Sequence, residues 1–117
     1  MYIFVVEWSS SSVEPFETRV VVAGSVVKLD CTMDANCNNQ SFRWTHYSAF
    51  NPRSETWYNG RRLDRMLMWR RVDVDKDTAM MTIPKARLTD GGIFKCMGLR
   101  NCQRNFQLIV TGNICVL

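Results

Sequence analysis

The stretch Thr89-Asp90-Gly91-Gly92-Ile93-Phe94-Lys95-Cys96 decides how this chain is read. Phe94 and Cys96 stand two positions apart, so an extended strand points both to one face. Upstream, Met81 and Ile83 alternate before Pro84, whose missing N–H should end that strand. Earlier still, Val27, Leu29 and Cys31 alternate with Val26, Lys28 and Asp30, giving one apolar face and one that mixes a valine with charge. Gly24 supplies a turn before them, and Trp44 stands in apolar alternation with Phe42. Downstream, Phe106-Gln107-Leu108-Ile109-Val110 reads as a last strand. Short segments of period two, bounded by Gly and Pro, read as β-strands.

Cys31 lies 65 positions before Cys96, and Trp44 follows Cys31 by 13. With the Asp-x-Gly-x-aromatic-x-Cys form that ends at Cys96, this set resembles the immunoglobulin superfamily. The resemblance implies an all-β, immunoglobulin-like Greek-key β-sandwich of two antiparallel sheets, of variable-like or intermediate type. It also implies that Cys31 on strand B is bonded to Cys96 on strand F, with Trp44 of strand C and Phe94 in the core beside them. Closing so long a loop is worth about 4 kcal/mol in the loop-entropy model. Phe94 departs from the pattern, because the family usually has a tyrosine there whose hydroxyl bonds to backbone upstream. Asp90 resembles the acid that pairs with an arginine at the start of strand D, and Arg71, just before Val72, is the expected partner in that structural salt bridge. An alternative register makes Trp57-Tyr58-Asn59-Gly60 the strand C motif, but Trp44 has the better distance from Cys31. The segment from Met81 to Cys96 looks like domains of growth-factor receptor tyrosine kinases and cell-adhesion receptors. Asn105-Phe106-Gln107-Leu108, in place of a Phe-Gly-x-Gly bulge, points away from antigen receptors.

The 117 residues allow one domain. Residues 1–12, with the apolar run Tyr2 to Val6 and the serine tract Ser9 to Ser12, read as a linker or added strand. Residues 13–112 form the immunoglobulin-like domain and 113–117 a C-terminal extension. The first residues lack the basic start of a signal peptide. No stretch approaches the roughly 20 apolar residues of a membrane span, so direct membrane insertion by this segment is not expected. The reading is of one domain from a longer extracellular protein.

Five cysteines in a short chain point to an oxidising compartment, extracellular or at the cell surface. Given the resemblance, Cys37 falls in the loop between strands B and C and Cys102 in the loop between F and G, at the same end of the sandwich. A second disulfide, Cys37 to Cys102, is therefore expected, stiffening that end and adding less than about 3 kcal/mol. Cys115 then remains as an interchain or free thiol. The cysteines form no paired C-x-x-C spacing and His46 is the single histidine, so neither a metal nor a cofactor is expected. His46, just after strand C, reads as a surface residue. Asn39-Gln40-Ser41 is a glycosylation sequon on the B to C loop.

The 36 residues between Trp44 and Met81 leave room for strands C′ and C″ or for a long excursion from C to D. Ser54 to Tyr58 followed by Asn59-Gly60 reads as strand C′ with a two-residue type I′ turn. Arg61, Arg62, Arg65, Arg70 and Arg71 crowd eleven positions, interleaved with Leu63, Met66, Leu67, Met68 and Trp69. With a net charge of +4, Arg61, Arg62, Arg65 and Arg70 offer a basic patch for heparan sulfate or another acidic ligand. The competing reading is a solvated edge strand guarded by charge. Nucleic acid is not an expected partner, since its usual signatures are absent.

The resemblance implies that partners dock on the sheet of strands G, F, C and C′, whose outward positions would be Arg43, Thr45, Trp57, Lys95, Met97 and Leu99. Alternatively, Trp57 folds back over the C to C′ loop. Asp73, Asp75 and Asp77 alternate along a strand, too few oxygens for calcium without a shaped loop. Ser9 to Ser12 have no basic partner in a recognisable motif, so the chain is not read as an enzyme. The function expected is extracellular protein–protein recognition by a receptor or adhesion domain, with another protein or as a homodimer. Heparan sulfate binding through Arg61 to Arg71, or a structural spacer in a multidomain array, are the alternatives.

Overall fold

The computed structural model describes residues 16–31, 42–50, 53–99 and 102–112. Its strands are β1 (Phe16–Val22), β2 (Val27–Asp30), β3 (Arg43–Ser48), β4 (Ser54–Tyr58), β5 (Asp73–Val74), β6 (Met80–Ile83), β7 (Gly92–Met97) and β8 (Gln103–Thr111). They form a five-stranded sheet of order β1-β8-β7-β3-β4 and a three-stranded sheet of order β2-β6-β5. The expected sandwich is present. Its pairings are antiparallel except that β1 runs parallel to β8, from Phe16 beside Asn105 to Val22 beside Thr111.

The alternation read from sequence builds the core. Val27, Leu29 and Cys31 from one sheet meet Trp44, Phe94, Cys96, Phe106 and Leu108 from the other, with Met81 and Ile83, all 2% exposed or less. Each buried Val, Leu, Ile, Phe and Met side chain contributes about 1.5–3 kcal/mol by leaving water. The Cys31–Cys96 disulfide ties the sheets together. Trp44 packs its ring 5.7 Å from that of Phe106, so the strand C position belongs to Trp44 and not to Trp57. β6 stops at Ile83, directly before Pro84. Gly24, at a φ of 93°, turns the chain between β1 and β2, its N–H bonded to the Ala86 carbonyl. Ion pairs of Glu17 with Arg19 and Arg104 close the polar edge beside β1.

Between β4 and β5 the chain forms no strand. Asn59 Oδ1 accepts from the N–H groups of Arg61 and Arg62, and only an isolated bridge joins Tyr58 to Leu63. Gly60 takes a φ of 99° while Asn59 is not at positive φ, so the turn is not the expected type I′, which needs both. The chain then enters a short helix, α1 (Arg65–Trp69), capped by Asp64, whose Oδ1 accepts from the Met66 N–H at 2.9 Å. Leu67 alone in α1 is buried, anchoring the helix to the core. The segment before β5 is thus a helical excursion and not a strand C″.

Candidate recognition surfaces

Strand register sets the outward face of the five-stranded sheet. Arg43 lies beside Met97, and Thr45 beside Lys95, which lies beside Asn105; Tyr47 lies beside Ile93, which pairs with Gln107. On the β1 side, Val20 lies beside Ile109. Arg43, Met97 and Leu99 are exposed while Thr45 and Lys95 are half-buried, so five of the six expected positions do line this face or its rim. Leu99 follows β7, next to Gly98, whose N–H donates to the Cys102 carbonyl at 2.8 Å. The Lys95 ammonium stands 5.1 Å from the centre of the Tyr47 ring, a cation–π contact. Tyr47, Val20 and Ile109, exposed on the same face, escaped the sequence reading.

Trp57 does not belong to the face, contrary to expectation. Between β3 and β4 the register shifts: Trp44 pairs with Tyr58 but Thr45 pairs with Thr56, leaving Trp57 as the extra residue of a β-bulge. A bulge breaks the strict alternation of a strand. Trp57 and Tyr58 consequently both turn inward, Trp57 being 5% exposed with its ring 5.0 Å from Phe94, and Tyr58 stacking on Phe42.

His46 is likewise not a surface residue. It lies within β3, 2% exposed, with its ring stacked 4.4 Å from Phe94. Its Nε2 faces the carbonyl oxygens of Asp90 at 3.0 Å and Gly91 at 3.2 Å, so this nitrogen carries the proton and donates. Phe94 lacks the hydroxyl that a tyrosine would aim at backbone four residues upstream, and the imidazole lying on Phe94 bonds that backbone instead. Nδ1 is buried without a hydrogen bond, with Glu55 Oε1 3.9 Å away. Burial holds the imidazole below the usual histidine value, outweighing the two carbonyls and the nearby carboxylates of Asp90 and Glu55.

That shift has a sign. An unfolded histidine titrates near roughly 6.5, so between that value and the lower folded one the unfolded chain binds more protons, and stability falls as pH drops. Melting temperature is therefore expected to decline from pH 7.5 to 5, and a His46→Gln variant, which keeps a donor but cannot titrate, to decline less. Parallel profiles would contradict this role for His46.

The buried acid Asp90 is paired, but with Arg70 and not with the expected Arg71. Arg70 Nη1 and Nη2 reach the two Asp90 oxygens at 2.8 and 2.5 Å, and the Arg87 N–H donates to Oδ2 at 2.8 Å. The reason is the helix end. Arg70 caps α1 and projects onto Asp90, whereas Arg71 takes a left-handed φ of 62° and is exposed. Arg70 is thereby withdrawn from the basic patch of Arg61, Arg62 and Arg65, and the patch expected from the run is split.

A cleft of about 640 Å³ lies between β4, α1 and the short 3-10 helix Leu88–Asp90, with Phe50, Trp57 and Met66 among its walls. His46 also lines it, with Nε2 committed to the backbone carbonyls of Asp90 and Gly91. Among the described residues no three His, Cys, Asp or Glu side chains gather as metal ligands, and no helix is long and apolar enough to cross a membrane. Cys102 is disulfide-bonded. Cys37, Cys115 and Asn39 lie outside the described residues, as do residues 1–12 and 113–117.

No protein-family model matches the chain, and no curated protein does. Solved structures do. The extracellular domain of the voltage-gated sodium channel beta4 subunit is similar over 92% of this chain and 95% of that one, with 18% identity and a TM-score of 0.64. The first immunoglobulin domain of the mouse polymeric immunoglobulin receptor is similar over 86% of this chain and 95% of that one, at 16% identity and a TM-score of 0.61. Drosophila Semaphorin 2a is similar over 86% of this chain but only 15% of its own length, at 16% identity and a TM-score of 0.63. The chain has the immunoglobulin fold.

Proposed function

We propose that this domain recognises a different extracellular protein through the outward face of its five-stranded sheet. The observation that carries the reading is the composition of that face. Tyr47, Met97, Val20 and Ile109 expose apolar surface on it, Arg43 and Lys95 bring positive charge, and its described register rows contain no carboxylate. Aromatic, methionine and arginine side chains are enriched where partners dock. A two-fold contact between identical faces would bring Arg43 and Lys95 of both copies together without an acid to offset them, so an acidic and apolar partner surface fits better. The disulfide expected between Cys102 and Cys37 would restrain the chain between β7 and β8 beside Leu99 and lower the ordering cost of binding.

Homodimerisation is the second reading, favoured by the likeness to the beta4 extracellular domain, whose structures are described as parallel homodimers explaining a role in cell–cell adhesion. Light scattering separates the two. At about 100 μM, enough to populate a dimer of micromolar affinity, we expect the monomer mass of 13.6 kDa. Twice that mass under reducing conditions, where Cys115 cannot bridge chains, would overturn recognition of a different protein in favour of self-recognition.

A further inference from the structure

We infer that a second surface, separate from the sheet face, is a binding cleft for a sulfated glycosaminoglycan. The cleft measures about 670 Å³ and is lined by Trp69, Arg70, Arg71, Lys85 and Arg87, with no carboxylate among its lining residues. Arg70 is neutralised by Asp90. Arg71, Lys85 and Arg87 are in no ion pair among the described residues and stand as three cations around one hollow. Trp69 beside them is 82% exposed, a flat apolar ring left open to solvent. Converging cations raise the local potential well above that of the same charges spread over a surface.

The backbone of the cleft argues for a polyanionic glycan over an acidic peptide. Peptides commonly bind by adding a strand to a free sheet edge. Here the Gly24 N–H is bonded to the Ala86 carbonyl at 2.8 Å, the Ala86 N–H to Ser25 at 2.9 Å, and Pro84 has none to give. Recognition therefore falls to the side chains. Two guanidinium forks and an ammonium suit the oxygens of sulfate groups, and the Trp69 ring offers apolar area to the face of a pyranose. Trp69 and Arg71 come from the end of the Arg61 to Arg71 run, but Lys85 and Arg87 lie beyond it, and Arg61, Arg62 and Arg65 do not line the cleft. None of the lining residues lies in the five-stranded sheet, and failure of this site would leave the protein-recognition reading intact.

The test is titration of a heparin-derived octasaccharide across a range of salt concentrations. The variant Arg71→Asn/Lys85→Ser/Arg87→Ser keeps the Arg70–Asp90 pair and puts at position 71 a residue that accepts positive φ. We expect it to bind at least about 10-fold more weakly, with a salt slope flatter by about 2–3. Trp69→Ala should weaken binding without changing that slope. Arg61→Ser/Arg62→Ser/Arg65→Ser removes equal charge elsewhere and should change affinity by less than about 2-fold. Equal weakening by the two triple variants, no binding by the wild-type domain, or equal competition from a polyglutamate peptide of matched charge would each overturn the inference. Superimposable thermal melts of the variants establish that folding is not the cause.

Discussion

Replacing Gly92 by alanine is expected to destabilise the domain by on the order of 4 kcal/mol or more, the range reached when a backbone position tolerates no side chain. Gly92 opens β7 at a φ of 134°, and a Cβ there would stand 2.1 Å from the Tyr47 carbonyl oxygen and 2.9 Å from the Ala49 nitrogen. Both obstacles are backbone, so no rotamer change relieves them. Relief would require parting β3 from β7, two inner strands of the larger sheet, where Ser48 faces Gly92. Gly91 is the control. Its nearest contacts to an added Cβ are 3.4 Å, and its φ of −62° is open to any residue, so Gly91→Ala should cost less than about 1 kcal/mol. Urea denaturation of both variants checks the contrast, and a Gly92→Ala domain as stable as Gly91→Ala would refute the packing described.

Asp90→Ala should have the next largest effect, about 3–5 kcal/mol, because removing one partner of a buried pair strands the other. The carboxylate is 2% exposed and the Arg70 side chain 14%, so water replaces little of what is lost. The Arg87 N–H also loses its acceptor. Arg70→Ala should be severe for the same reason, and the double variant less damaging than the sum of the two, since the charges form one unit. Arg71→Ala should change stability by less than about 0.5 kcal/mol. Chemical melts of the four variants distinguish these partners, and a large loss on Arg71→Ala with none on Arg70→Ala would reverse the assignment.

What was legible in the sequence is what depends on one residue and its near neighbours. Strand alternation placed Val27, Leu29, Cys31, Met81, Ile83, Phe94 and Cys96 in the core, and Pro84 marked the end of β6. Pairing geometry was not legible. The bulge that turns Trp57 inward exists only in the register between β3 and β4, so simple alternation sent that side chain outward. His46 found its acceptors 44 and 45 residues away. A signal for it did exist, because Phe94 in place of tyrosine left backbone carbonyls without a donor. The choice between Arg70 and Arg71 turned on where a five-residue helix stops, which neighbouring residues mark weakly. The basic run misled for a related reason. Sequence proximity grouped side chains that the fold sends to an ion pair, a turn and a cleft.

The recognition face is the part of the account on which function rests. The most direct test is to probe a panel of extracellular proteins with the multimerised domain, which amplifies weak contacts through avidity. The wild-type domain, a Tyr47→Ser/Met97→Glu variant and the Arg71→Asn/Lys85→Ser/Arg87→Ser variant are compared, each checked for an unchanged melt. The account predicts a protein partner whose binding is lost with the sheet-face variant and kept with the cleft variant. Partners that bind the sheet-face variant as well as the wild-type domain would contradict it.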